Sequence, residues 1–286
     1  MRKVKLNAYA KINLSLDVLG KRENGYHELS MIMQQIDLKD IITIEEVNGI
    51  QNSIEINSNS SKVPLDNSNI VYRAWEEISK KYSGNKGVRV SIEKNIPISA
   101  GLAGGSTDAA AVLKGLNKLW SLNLTDAELM DIGLKVGADV PFCIIGGTAL
   151  AEGIGEKLTK IKSFSNKYIL LANPGIEVST SHVYKNLNLK TIEKRPDINN
   201  IIRYIEQSDI YSLSKEMSNV LESVTIKENP IIDEIKQSMI SNGAVGSLMS
   251  GSGATVFGIF DSEEKLENCK KILEKKIDTV ICTKTI

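Results

Sequence analysis

The sequence predicts an α+β fold in two lobes, and three observations carry that expectation. From Val4 to Val18 every even position is apolar, a period-two pattern that marks a long strand. The stretch Pro97-Ile98-Ser99-Ala100-Gly101-Leu102-Ala103-Gly104-Gly105-Ser106-Thr107 gathers glycines and hydroxyls, then runs into the helix formers Ala109 to Leu119. That order describes a tight loop feeding a helix N-terminus. From Tyr168 onward, the order strand, helices, strand, strand, helix, strand suits a split βαβ, ferredoxin-like unit.

The first strand sets Val4, Leu6, Ala8, Ala10, Ile12, Leu14, Leu16 and Val18 toward a core. Lys11 and Asn13 then share the opposite face. Lys21 to Glu28 contains Asn24-Gly25 and reads as a turn. Strands are expected at Ile41–Val47, Ile54–Asn57 and Val88–Glu93. The cluster Asp66-Asn67-Ser68-Asn69 caps a helix over Ile70–Lys81 whose stripe is Val71, Trp75, Ile78 and Tyr82. A second helix over Thr107–Trp120 buries Leu113, Leu116 and Trp120. Thr125 and Glu128 form a capping box for a third, which Gly137 ends. Asp139-Val140-Pro141-Phe142 and a strand through Leu150 follow. Glu152 to Lys167 changes character and reads as a connection between domains.

In the second half, Tyr168–Asn173 reads as a strand. Helices are expected near Thr180–Leu187, Asp197–Gln207 and Ile210–Val220. Pro230 fits the first helical position of another, stopped at Gly243. Strands at Ala244–Met249 and Thr255–Phe260 flank the Gly251-Ser252-Gly253 turn. Ser262 caps a helix to Lys275, and Thr279–Thr283 closes the unit.

The Gly-rich stretch is the strongest chemical signal. Glycines leave no Cβ between backbone amides and a ligand. A helix's first turn adds unpaired N–H groups and a partial positive charge, so the two together suit a phosphate. The alternative is structural: Ser106, Thr107 or Asp108 serves as the helix N-cap and the glycines serve a turn. No Lys-Ser or Lys-Thr follows the glycines, so this is not a Walker A loop.

Phosphoryl transfer also needs help in removing a proton from the acceptor. Lys11, on the polar face of the first strand, and Asp139, in the apolar context Val140-Pro141-Phe142, are the candidates. A surface-strand lysine and a turn or capping aspartate are the structural alternatives.

The Gly-rich string resembles the phosphate-binding motif of the GHMP kinases, small-molecule kinases that include galactose, homoserine and mevalonate kinases. Ala8-Tyr9-Ala10-Lys11-Ile12-Asn13-Leu14, Asn24-Gly25-Tyr26-His27-Glu28-Leu29 and Gly137-Ala138-Asp139-Val140-Pro141-Phe142 narrow the resemblance. They match the branch acting on a methylerythritol that carries a cytidine diphosphate moiety. The resemblance implies a two-lobed GHMP kinase fold. Its N-terminal domain over 1–155 would carry the phosphate loop, the lysine and the aspartate. A ferredoxin-like C-terminal domain would span 156–286, with the ligands meeting in a cleft between the lobes.

The resemblance implies transfer of the γ-phosphoryl of ATP to the 2-hydroxyl of that substrate, with Mg²⁺ assisting, in the non-mevalonate route to isoprenoid precursors. Asp139 would be the general base and Lys11 its partner. Pro97 to Thr107 would bind ATP, and Asn13 would position the substrate. Tyr26 would stack on the cytosine, His27 would hydrogen-bond its edge, and Tyr184 would take the opposite ring face. Asn69 matches a position near the adenine. Gly251-Ser252-Gly253, otherwise an ordinary hairpin turn, would lie beside the first loop. Ser106 or Thr107 would lie near the metal, for which no protein ligand is assigned. Ala103 departs from the glycine of many relatives and would restrict φ > 0.

Composition limits the alternatives. Net charge is zero, with 35 basic and 35 acidic residues, so a nucleic-acid partner, which asks for a basic excess, is not expected. Cys143, Cys269 and Cys282 form no CxxC and no disulfide framework, which suggests a reducing cytoplasm. His27 and His182 are the only histidines, too few for a zinc site. The N-terminus leads into a strand rather than a signal peptide, and no apolar run approaches the roughly 18 residues of a membrane span. The expected state is a monomer or homodimer. A different GHMP kinase and a non-catalytic nucleotide-binding protein remain as alternatives; the Tyr26-His27 pair argues against the first, and the presence of both Lys11 and Asp139 against the second.

Overall fold

The computed structural model describes residues 2–286 apart from Asn24, Ser83 and Asn85, and the backbone alone at 48–51. The chain forms two compact units, each drawn from separate stretches. One comprises Met1–Ala10, Leu38–Ile98 and Ala103–Gly146; the other comprises Lys11–Asp37, Ser99–Leu102 and Gly147–Ile286. Strands β1 (Lys3–Lys21) and β2 (His27–Gln51) contribute residues to both.

In the first unit, β3 (Ile54–Ser58) runs parallel to β4 (Lys86–Glu93), which pairs antiparallel with β2 from Ile41↔Glu93 to Val47↔Gly87. Helix α1 (Ile70–Ser79) starts as expected at Asn69, whose Oδ1 accepts from the Val71 N–H at 2.9 Å. Helix α2 (Gly104–Trp120) buries Leu113, Leu116 and Trp120, and the Trp120 ring stacks on Tyr82 at 4.2 Å between centroids. Gly115 brings α2 close to the strands: a Cβ there would sit 2.5 Å from Ile44 and 2.9 Å from Leu6. Helix α3 (Asp126–Val136) carries the Thr125–Glu128 capping box and ends at Gly137.

Two elements of this unit depart from expectation. Helix α2 begins three residues earlier than its composition suggests, drawing Gly104 and Gly105 into the first turn. Val140–Ile145 is a short helix, α4, rather than extended chain. Its β-branched apolar run reads as strand, but Pro141 falls in the first turn, where proline's missing N–H costs no hydrogen bond.

In the second unit, β5 (Thr148–Gly153) pairs antiparallel with β2 over Leu29–Gln34, and β6 (Lys157–Lys160) pairs antiparallel with β5. The stretch expected as a connection therefore holds a hairpin strand. The first half of β2 was also not expected. Leu29, Ser30, Met31, Ile32, Met33 and Gln34 are all buried, so both faces are covered and no alternation marks the strand. The described residues around the expected Asn24-Gly25 turn form one, with Gly25 N–H donating to Arg22 O; Asn24 lies outside the described residues.

The ferredoxin-like expectation holds. Strand β7 (Tyr168–Asn173) precedes α5 (Thr180–Asn186), α6 (Ile198–Gln207), α7 (Ile210–Glu216), α8 (Glu222–Glu228) and α9 (Ile231–Ser241). Then come β8 (Gly246–Met249), β9 (Val256–Phe260), α10 (Glu263–Leu273) and β10 (Thr279–Lys284). The four-stranded sheet has the order β10-β7-β9-β8, antiparallel throughout. Pro230 takes the N-cap position of α9 rather than the first helical position, and α8 is an added element.

Candidate functional site

The Gly-rich loop is shaped by backbone conformations that side chains resist. Ser99, Gly101 and Ala103 have φ of 54°, 73° and 57°. Ala100 and Leu102 are buried and anchor the loop from below. Leu102 O accepts the Lys11 N–H at 3.1 Å, and Gly101 O accepts the Ser250 hydroxyl at 2.9 Å.

Ala103 is the N-cap of α2, in the left-handed region, and supplies no capping side chain. Ser106, Thr107 and Asp108 lie inside the helix, so none of them caps it. Thr107 Oγ1 instead donates to Tyr9 O at 2.8 Å, and Asp108 takes an ion pair with Lys94. The first-turn amides of Gly104 and Gly105 therefore present the positive end of a long helix with no side-chain cap from Ala103. Alanine at a left-handed position costs about 1 kcal/mol more than glycine. Ala103→Gly should raise stability by up to about 1 kcal/mol in urea denaturation and preserve the loop; a lower midpoint would contradict the conformational cost.

Lys11 and Asn13 share a face of β1, as the alternation predicts. That face is not a solvent surface: Lys11 is 5% and Asn13 0% exposed, and Ser15 and Asp17 are buried beside them. Lys11 Nζ donates to Asn13 Oδ1 at 2.7 Å. Burying an ammonium is costly without polar partners, so a surface-strand origin for Lys11 is ruled out.

The late Gly-rich turn lies beside the first loop, as the resemblance implies. A Cβ on Gly251 would come within 3.3 Å of Gly101 O and 3.7 Å of Asn13 Oδ1. Sequence reasoning missed the residues that hold this turn. Asn219 Nδ2 donates to Met249 O and Gly251 O at 2.9 and 2.7 Å, and Thr225 Oγ1 donates to Ser252 O at 3.1 Å. The only sequence signal was a polar residue before the apolar pair Val220-Leu221.

Asp139 belongs to the other unit, with Pro97, Ile98 and the first turn of α2. It occupies the N-cap position of α4, and its main-chain carbonyl accepts the Cys143 N–H at 3.1 Å. Its carboxylate makes no capping bond to the helix. Buried Val140 and Phe142 fix the backbone beneath it. The capping alternative for Asp139 therefore falls away.

His27 and Tyr184 meet in the second unit, with ring centroids 5.0 Å apart and planes tilted by 35°. Buried Val183 anchors α5, which carries Tyr184. Partial burial, with Lys21 nearby, holds His27 below the ordinary imidazole range. The ring is thus neutral near pH 7 and offers one donor and one acceptor. Tyr26 is 59% exposed at the adjacent turn.

Asn69 is explained by its helix. It caps α1 through Oδ1, and Nδ2 donates to Pro64 O at 2.7 Å. Cys143, Cys269 and Cys282 are not in disulfides, and burial pushes Cys269 and Cys282 up to about 11 and about 12, so neither is a thiolate nucleophile at neutral pH. Among the described residues no group of three or more His, Cys, Asp or Glu is disposed to hold a metal, and no helix is long and apolar enough to cross a membrane.

Comparison with known proteins places both halves of the chain. Residues 69–147 match the GHMP kinases N terminal domain, and residues 201–278 match the GHMP kinases C terminal domain. The chain is 50% identical over 282 residues to a 4-diphosphocytidyl-2-C-methyl-D-erythritol kinase of Caldicellulosiruptor bescii, covering 99% of this chain and 98% of that one. A solved 4-(cytidine 5'-diphospho)-2C-methyl-D-erythritol kinase is similar over 99% of each chain, with a TM-score of 0.83 and 29% identity. The homoserine kinase of Cytophaga hutchinsonii shares the fold at a TM-score of 0.80 and 17% identity, covering 100% of this chain and 95% of that one.

Proposed function

The chain belongs to the 4-diphosphocytidyl-2-C-methyl-D-erythritol kinases within the GHMP kinases, and from that premise we propose how its residues share the work. It is an ATP-dependent small-molecule kinase of the non-mevalonate isoprenoid route. The acceptor in this reading is the 2-hydroxyl of 4-diphosphocytidyl-2-C-methyl-D-erythritol.

The observation that carries the proposal is the uncapped start of α2 behind the Gly101 turn. Backbone amides there suit the ATP phosphates, and a helix N-terminus favours their charge. Mg²⁺ bound with ATP would supply neutralisation of the phosphate charge. Of the two hydroxyls that the resemblance suggests for it, Thr107 is committed to Tyr9 O, so Ser106 would be the one to hold the ion.

Asp139 accepts the acceptor's proton as the new bond forms, and Lys11 stabilises negative charge building on the acceptor oxygen. Asn13 orients Lys11 through their hydrogen bond and helps to position the substrate. Tyr26, His27 and Tyr184 recognise the cytosine. The neutral His27 ring suits a base edge, and its contact with Tyr184 puts an edge partner and a stacking face side by side. Cysteines outside disulfides suit a reducing cytoplasm, where we place the reaction.

A coupled ADP-release assay with ATP and Mg²⁺ tests the reading against four acceptors: 4-diphosphocytidyl-methylerythritol, mevalonate, homoserine and galactose. Turnover with the cytidylyl acceptor alone is expected. Turnover with another acceptor would overturn the substrate and the roles of Tyr26 and His27. Tyr184→Ala should raise KM for the cytidylyl acceptor about 5- to 150-fold, the range of one lost base–aromatic stack, with KM for ATP unchanged. An unchanged acceptor KM would remove Tyr184 from the site.

A further inference from the structure

Beneath the Gly-rich loop lies a buried charge cluster that the roles above do not use. Lys94 Nζ donates to Asp40 Oδ2 at 2.5 Å and to Asp108 Oδ2 at 2.7 Å. All three side chains are almost fully buried. Asp40 Oδ1 accepts the backbone N–H groups of Asn95 and Ile96 at 2.6 and 2.8 Å, fixing the chain just before Pro97. Asp108 lies in the second turn of α2, immediately after Thr107. The Lys94–Asp108 bridge therefore joins the two ends of the segment Pro97 to Thr107.

The bridge also sits next to the helix start. A Cβ on Gly104 would lie 3.1 Å from Lys94 Nζ and 3.1 Å from the Ile96 side chain. The missing Cβ of Gly104 thus leaves room for the Lys94 ammonium beside the first turn of α2. Three buried charged groups form an expensive device for joining two chain segments, because apolar packing does the same at lower desolvation cost. Their placement at the base of one loop calls for a reason specific to that loop.

We propose that Lys94, held between Asp40 and Asp108, is a positioning residue that closes the phosphate loop at its base and fixes its amides for ATP. This rests on the reading of Pro97 to Thr107 as the ATP-binding loop. Closing the segment in the free protein removes ordering that ATP binding would otherwise have to supply. The effect falls on ATP rather than on the acceptor. Burial, opposed by Lys94 and reinforced by Asp40, pushes Asp108 well above the usual carboxylate range. An amide at position 108 keeps the shape of the side chain and still offers an oxygen to Lys94.

Lys94→Met would leave two buried carboxylates facing each other, so the test uses Asp108→Ala, which keeps the Lys94–Asp40 pair, and Asp108→Asn. KM for ATP and for the cytidylyl acceptor are measured for each, with thermal unfolding alongside. Asp108→Ala should raise KM for ATP about tenfold or more and leave KM for the acceptor within about twofold. Asp108→Asn should restore KM for ATP to within about threefold of the parent. A folded Asp108→Ala with an unchanged KM for ATP, or with both KM values raised alike, overturns the proposal. If Asp108→Ala does not fold, an Asp108→Asn protein with KM for ATP raised tenfold overturns it, and one near the parent supports it. A parent enzyme without ATP-dependent turnover would instead sink the kinase reading itself.

Discussion

Asp139→Asn should abolish phosphoryl transfer and leave the protein folded. The substitution keeps the size and shape of the side chain and removes the capacity to accept a proton as a base. General-base assistance is worth about 10²- to 10⁴-fold in rate, so kcat should fall by at least that range's lower end. Stability should change far less than rate, because asparagine keeps the size of the side chain and the main-chain bond from Cys143 is unaffected. A single-turnover assay with saturating ATP reads the chemical step directly. A variant with more than about a tenth of the parent's rate would remove Asp139 as the base. Lys11→Ala serves as its companion. It should also lose turnover, because a lysine buried on a strand face has no surface role to explain its presence.

The sequence reveals these chemical residues for reasons that differ from residue to residue. The Gly-rich stretch is legible because glycine and helix-forming composition report local backbone preference, and that preference survived folding. What it did not reveal is where the helix begins. Gly104 and Gly105 are poor helix formers, yet they start α2 because Ala103 adopts the left-handed turn that launches it. Lys11 is legible as a position and not as an environment. Alternation places it on a polar face, but nothing local shows that other chain segments bury that face.

The same limit explains the missed first half of β2. Leu29 to Gln34 is buried on both sides, and burial on both sides erases the period-two signal that identified β1. Asn219 and Thr225, which hold the late Gly-rich turn, are illegible for a related reason. Each donates to a carbonyl about thirty positions away in sequence, and no local pattern encodes such a partner. The ferredoxin-like order of the second half was legible because it needs only the sequence of element types.

Gly101→Ala should be a severely damaging single-methyl change. Gly101 has φ of +73°, a conformation that costs an L-residue about 1–2 kcal/mol. Space is the larger obstacle. A Cβ there would sit 2.2 Å from Ser250 O and 3.0 Å from Gly253 O, both backbone atoms that cannot swing aside. Relief requires the two Gly-rich turns to separate, which strains or breaks the Ser250 hydroxyl bond to Gly101 O. Overpacking of this kind adds about 1–3 kcal/mol. A combined loss of about 3 kcal/mol is expected in urea denaturation, with a rise in KM for ATP as the loop is displaced. Gly175→Ala is the control. Gly175 has φ of +77° but nothing within 4 Å of a new Cβ, so it isolates the backbone cost. It should lose about 1 kcal/mol and leave KM for ATP alone. Equal losses in the two variants would mean that contact between the Gly-rich turns does not govern the loop, and the phosphate site would then have to be sought in the helix terminus by itself.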